Sequence, residues 1–161
     1  MGESLPDRLL ALLNDQGADF EVLHHEPVRT SAEAALVRGT ALEQGAKALV
    51  FRAGERMMLL VVPANLRVDT RAFRRALGVR SLSMIAADDL LRLFELEVGA
   101  VPPFGHLLGL KTYADERLFS QSHIAFNAGS RTVSVVLATA DYLRLEQPVT
   151  GRFAADPSQA T

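Results

Sequence analysis

Lys47-Ala48-Leu49-Val50-Phe51-Arg52 and Met57-Met58-Leu59-Leu60-Val61-Val62 are two apolar runs separated by Ala53-Gly54-Glu55-Arg56 and followed by Pro63-Ala64-Asn65. Each run has the length of a strand, Gly54 supplies the turn and Pro63 ends the ladder, so the stretch reads as a β-hairpin. Downstream of it, Asp69 or Thr70 caps a helix over 71–77 that Gly78 stops. Upstream, Thr30-Ser31-Ala32-Glu33 has the spacing of a capping box and opens a helix from Ser31 to about Arg38; Thr40 to Glu43 repeats that spacing for one more turn, ending at Gly45. Before these, Ser4, Pro6 and Asp7 start a helix to about Gln16 with Leu9, Leu10, Leu12 and Leu13 on its apolar side, and a short strand follows over Phe20–His24.

In the C-terminal half the pattern predicts a strand over Ser81–Met84 and a helix over Ala87–Phe94 with Leu90, Leu91 and Phe94 facing inward. A second hairpin pairs His123–Phe126 with Thr132–Leu137 around Asn127-Ala128-Gly129-Ser130, and a last helix runs over about 139–145 before Pro148. Helices and hairpins are interspersed without a βαβα rhythm, which predicts a mixed α+β fold. We expect one domain over residues 1–150 and a frayed, flexible tail over 151–161, where the composition turns to Ala, Asp, Pro, Ser, Gln and Thr.

The 161 residues are 48% hydrophobic and 22% charged, an ordinary globular balance. No apolar run approaches the roughly 18 residues of a membrane span. The start Met1-Gly2-Glu3-Ser4 lacks the basic and apolar regions of a signal peptide, and Pro6 stands where a myristoylated N-terminus prefers Ser or Thr. The absence of cysteine excludes disulfides, thiolate catalysis and zinc–cysteine sites and agrees with a reducing cytoplasm, the expected location. The net charge is −2, yet residues 38–80 carry nine basic side chains against three acidic ones. Such a patch can hold phosphates whatever the total charge, and it can equally be a solvated arginine face. On the helix over 71–77, Arg71, Arg74 and Arg75 share one side, with Arg67 just before it.

Conventional catalytic signatures are missing. The chain has no Walker-type loop, no G-x-G-x-x-G and no G-x-S-x-G elbow. The four histidines include no i, i+4 pair with a carboxylate partner, so no metal site is expected. His24 and His25 point to opposite faces of a strand end and are read as carrying no ligand. The stretch Gly99-Ala100-Val101-Pro102-Pro103-Phe104-Gly105 is a shaped loop, because its two prolines remove donors and glycines bracket it.

Four segments taken together carry a resemblance: His25-Glu26-Pro27-Val28-Arg29-Thr30 running into Ser31–Ala35; Gly45-Ala46-Lys47-Ala48-Leu49-Val50; Val62–Asp69 with the helix to Leu77-Gly78; and Gly99–Gly105. The hairpin Phe126-Asn127-Ala128-Gly129 adds a fifth. In this order the chain resembles the YbaK and proline-tRNA-synthetase-associated editing domains over about residues 5–146. The resemblance implies a single-domain YbaK-like fold, with a twisted, barrel-like mixed sheet and flanking helices. It implies a free-standing, trans-acting deacylase that hydrolyses the ester of a mischarged tRNA, tRNA(Pro) or another tRNA carrying a small wrong amino acid.

By the same resemblance the expected catalytic residues are Lys47, which lines the pocket, and Gly99, Ala100 and Val101, whose backbone faces the substrate. Thr30, Pro102, Pro103, Phe104, Gly105, Asn127, Ala128 and Gly129 surround it. An activated ester needs a placed water and a stabilised oxyanion rather than a protein nucleophile, which suits backbone donors. Arg67, Arg71, Arg74 and Arg75 are the expected tRNA-binding residues. Mischarged tRNA is the expected partner, with an aminoacyl-tRNA synthetase as a second, and no membrane, DNA, metal or cofactor. Gly129 stands where the branch that edits alanyl-tRNA(Pro) carries histidine, so serine, threonine, cysteine or an unnatural small amino acid come forward as the residue removed. Two other readings stay open: a catalytically inactive module of the same fold that binds aminoacyl-tRNA or a synthetase, and a hydrolase of small free esters or amides.

Overall fold

The structure is a computed structural model and describes residues 3–157. The Met1-Gly2 start and the last four residues of the expected tail lie outside the described residues. Helix α1 (Leu5–Asp15) is capped by the Ser4 hydroxyl and carries Pro6 in its first turn. Strand β1 (Phe20–His24) leads to α2 (Ser31–Arg38), where the Thr30 hydroxyl accepts the Glu33 N–H and Gly39 closes the helix at φ 70°. The hairpin strands are β2 (Ala46–Ala53) and β3 (Arg56–Pro63). Then come β4 (Arg67–Val68), α3 (Thr70–Leu77), β5 (Ser83–Met84), α4 (Ala87–Phe94) and β6 (Lys111–Asp115). The chain continues through β7 (His123–Asn127), β8 (Val133–Ala138), α5 (Thr139–Glu146), β9 (Val149–Gly151) and β10 (Ala154–Ala155).

The fold is α+β. Its strands form a five-stranded sheet in the order β5-β2-β3-β6-β9, a three-stranded sheet β1-β8-β7 and a two-stranded pair β10-β4. The sheet is therefore not one closed barrel: among the described residues a single isolated parallel bridge, Gly45 to Ala125, links the two larger sheets. The hairpin keeps ladder register from Ala46↔Pro63 to Ala53↔Arg56. Alternate residues of β2 and β3 then enter two cores. Ala46, Ala48, Val50, Leu59 and Val61 pack toward β7, β8 and α1, while Phe51, Met58, Leu60 and Val62 pack toward α3. A sheet covered on both faces needs apolar residues at every position, which is why these strands read as continuous runs rather than alternating ones.

Several expectations are corrected. Residues 151–155 do not fray: β9 pairs with β6, β10 pairs with β4, and Phe153 is buried against Phe73 with ring centroids 5.2 Å apart. That anchoring rests on Asp115, whose buried carboxylate accepts the N–H groups of Phe153 and Ala154, each at 2.9 Å. Strand β6 gave no sequence signal. It is short and polar at its ends, and its place between the parallel partners β3 and β9 is set by contacts distant in sequence. Leu91 is exposed rather than inward, whereas Leu90 is buried and Phe94 packs against the core as expected. The turn expected from Thr40 is built on Ala41, whose N–H is capped by Gln44 Oε1 at 2.9 Å, and the Thr40 hydroxyl is buried without a partner.

Candidate functional site

Strand β5 pairs with Phe51 and Arg52, so among the described residues the first half of β2 has no strand on its outer side. On that side Val50 C=O accepts the Ile85 N–H at 3.0 Å. Main-chain groups alternate along an antiparallel strand, so the N–H and C=O of Ala48 point to the same open edge. A cleft of about 210 Å³ lies over this edge. Thr30, Ser31, Ala34 and Ala35 at the start of α2 form one wall, Val98, Gly99 and Val101 the other, and Asn127 closes one end. Arg29, Arg38 and Lys47 also line it, and no lining residue is acidic. Among the described residues no group of three or more His, Cys, Asp or Glu side chains is placed to hold a metal ion, and no helix is long and apolar enough to cross a membrane.

Arg38 organises one end of the cleft. Its Nε donates to Ser134 Oγ and its Nη2 to Asn127 Oδ1, both at 2.9 Å. Asn127 Nδ2 in turn donates to Gly99 C=O at 2.7 Å, so one amide joins the guanidinium to the glycine loop. Burial without a carboxylate partner lowers the Arg38 pKa to about 10, which leaves it charged at neutral pH. His25 Nδ1 lies 2.8 Å from Glu26 C=O, and a carbonyl only accepts, so Nδ1 carries the proton. In the neutral ring Nε2 then faces the Ser134 hydroxyl at 2.7 Å, whose one proton is shared between Nε2 and Asn127 Oδ1. Ser134 and His25 have the contact of a nucleophile and its base. Ser134, however, is fully buried, is not among the residues lining the cleft, and its oxygen is already engaged by Arg38, His25 and Asn127. It is a structural hub.

Lys47 reaches the opposite end and donates from Nζ to Leu66 C=O at 3.3 Å. Burial, and then the nearby Arg67 cation, lower its pKa. Arg67, Arg71, Arg74 and Arg75 are exposed, with α3 held down by the buried Phe73, and none has an ion-pair partner among the described residues.

The structure brings together Lys47, Gly99, Val101, Thr30 and Asn127 and separates the other expected site residues from them. Ala100 is in the core and its N–H is spent on Glu97 C=O at 3.0 Å, so it has no donor left for a substrate. Pro102 and Pro103 are buried, and Pro103 C=O accepts the Tyr142 hydroxyl at 2.8 Å. Phe104 packs between Phe126 and Tyr142, with centroids 5.8 and 5.3 Å away. Gly105 donates to Thr112 Oγ1 at 3.0 Å, and a Cβ there would lie 2.2 Å from the same oxygen, so this glycine is required by packing. Ala128 is buried, and Gly129, at φ 87°, turns the hairpin against Leu5 and Pro6 rather than toward the cleft. The specificity argument built on Gly129 as a pocket wall therefore loses its geometric basis. Gly99 keeps its place: it has φ 90°, and open space surrounds the position a side chain would take.

The sequence profile of the aminoacyl-tRNA editing domain matches residues 25–145. The chain belongs to this family. It is 40% identical over 152 residues to the multifunctional Ser/Thr-tRNA deacylase ProXp-y of Escherichia coli K12, covering 91% of each chain. It is 25% identical over 139 residues to the prolyl-tRNA editing protein ProX of Acetoanaerobium sticklandii, covering 83% of this chain and 85% of that one. Its fold superposes with a TM-score of 0.83 on a crystal structure described as that of a candidate trans-editing enzyme for prolyl-tRNA synthetase, which is 24% identical and covers 96% of this chain and 99% of that one. Each editing-domain segment quoted from the sequence contributes at least one residue to the lining of the cleft. Arg38, read only as the end of a helix, and Ser134 were missed as site residues because the hydrogen bond that joins them links α2 to β8 across 96 residues of sequence.

Proposed function

We propose that this editing-domain protein is a trans-acting deacylase that hydrolyses the ester between tRNA and a small wrong amino acid, serine or threonine first. The observation that carries the reading is the charge of the cleft: three cations and no acid line a space large enough for an aminoacyl group with its ribose. Such a site suits a ligand that ends in phosphates, and a basic helix lies beyond it for the rest of the acceptor stem. The amino acid preference follows the similarity to ProXp-y and the Thr30 and Ser31 hydroxyls on the cleft wall. tRNA(Pro) is included among the substrates, a synthetase is the second proposed partner, and the site of action is the cytoplasm.

In this reading the open edge of β2 meets the aminoacyl group, with Ala48 C=O taking the α-ammonium, since no carboxylate is there to do so. The N–H groups of Gly99 and Val101 face the ester. Water, delivered with the help of the vicinal ribose hydroxyl, adds to the carbonyl carbon. Lys47 and Arg67 hold backbone phosphate at the far end. Their contacts exist in the ground state as well as in the transition state, so Lys47→Ala is expected to raise KM for charged tRNA about tenfold with kcat largely kept and the fold intact. Unchanged KM in the folded variant removes Lys47 from the site.

The direct test is a deacylation screen of the purified protein over a panel of mischarged tRNAs. Hydrolysis of seryl- and threonyl-tRNA is expected; binding without turnover favours the inactive module. Reversing Arg74 and Arg75 to Glu should raise KM for tRNA and flatten its salt dependence, because fewer counterions are released on binding. Hydrolysis of a minimal aminoacyl-nucleotide should stay nearly unchanged. Equal kinetics on both substrates would make α3 a solvated arginine face.

A further inference from the structure

Arg38 is a half-buried cation that meets only neutral partners, and an uncompensated charge taken out of water is costly unless something offsets it. Two of its nitrogens are fixed by Ser134 and Asn127, and Nη1 has no partner among the described residues of this acid-free cleft. The loop opposite offers fewer donors than its sequence suggested, because the Ala100 N–H is turned to Glu97. The same Asn127 amide that grips Arg38 Nη2 grips Gly99 C=O, which sets guanidinium and loop side by side.

Building on the deacylase reading above, we infer that Arg38 is the catalytic cation of the cleft: its anchored guanidinium stabilises the oxyanion formed when water adds to the aminoacyl ester. The water oxygen bonds to the carbonyl carbon and gives up a proton to the ribose hydroxyl, while the carbonyl π pair moves onto oxygen opposite Arg38. Collapse restores the C=O and breaks the bond to the ester's ribose oxygen, which takes the proton that the vicinal ribose hydroxyl relays from the water as it leaves; amino acid and free tRNA result. The anchoring favours this role over phosphate binding. A donor held by two hydrogen bonds is already aimed where charge develops, which is what transition-state stabilisation requires, whereas a phosphate needs only a nearby charge of the kind Lys47 supplies.

The test compares Arg38→Gln and Arg38→Lys with the wild-type protein in single-turnover hydrolysis of seryl-tRNA, with folding checked by thermal melting. We expect kcat to fall about 10²–10³-fold in both variants with KM changed less than about threefold, the pattern of an interaction made only in the transition state. Lysine should not rescue, because it cannot hold Ser134 and Asn127 and also present a third donor. Binding gives a readout independent of turnover. A phosphonate analogue of the tetrahedral intermediate on 3′-aminoacyl adenosine should lose about 10²-fold in affinity in the lysine variant, while the corresponding ground-state amide changes little. Retained kcat, or equal loss of affinity for phosphonate and amide, overturns the role of Arg38 while leaving the deacylase standing. A wild-type protein that hydrolyses no charged tRNA overturns both.

Discussion

Asp115→Asn should destabilise the protein by about 3–5 kcal/mol, the scale of removing one partner from a buried ion pair. Asp115 is fully buried at the end of β6. Its Oδ1 accepts from the backbone and Nε of Arg117 at 2.9 and 3.0 Å, and its Oδ2 accepts from Arg117 Nη2 and the N–H groups of Phe153 and Ala154. Asparagine keeps the size but turns one acceptor into a donor that faces other donors. Burial by itself would raise the carboxyl pKa; the Arg117 side chain and the backbone N–H groups outweigh it and hold the pKa below the usual value. A depressed folded pKa stabilises the protein above the unfolded-state pKa of about 4, and that contribution is lost as pH falls through the folded value. Denaturant melts of wild type and variant should therefore differ most at neutral pH and converge under acid. Proteolysis should open the variant first near Arg152, where the clamp lets go. A neutral-pH difference below about 1 kcal/mol would show that Phe153 packing alone holds this segment.

Asn127→Ala should lower kcat about a hundredfold, the loss expected when an oxyanion donor is misplaced, and stability by about 1–3 kcal/mol. Asn127 ends β7 and touches both halves of the proposed catalytic apparatus, Arg38 through Oδ1 and Gly99 through Nδ2. Alanine leaves Arg38 Nη2 and Gly99 C=O without their partner and releases the loop from the guanidinium. Because the residue acts by positioning, KM should stay near wild type, and a merely structural role would lower the melting temperature with kcat kept. Asn127→Asp preserves an acceptor for Arg38 but neutralises the cation and removes the donor to Gly99 C=O, so activity should fall as in the alanine variant. Full kcat in folded Asn127→Ala would leave the link between loop and guanidinium without catalytic weight.

Local patterns determined the α+β class, the two hairpins and most helix ends, because a capping side-chain oxygen at Ser4, Thr30 or Asp69 and a left-handed glycine at Gly39 or Gly78 act within four residues of the chain. They also carried the editing-domain resemblance and brought Lys47, Thr30, Gly99, Val101 and Asn127 forward as site residues. Tertiary structure alone decided the rest. Whether Phe104, Gly105 and Gly129 face a substrate or a core depends on the aromatic packing around Tyr142 and on the approach of Leu5, and neither is visible in the loop's own residues. The Asp115 clamp spans 38 residues to Phe153, and the Arg38 contacts span 96 to Ser134 and 89 to Asn127. Hydrogen bonds of that reach leave no periodicity in the sequence, because the energy that selects them comes from the packing that first brings their partners together.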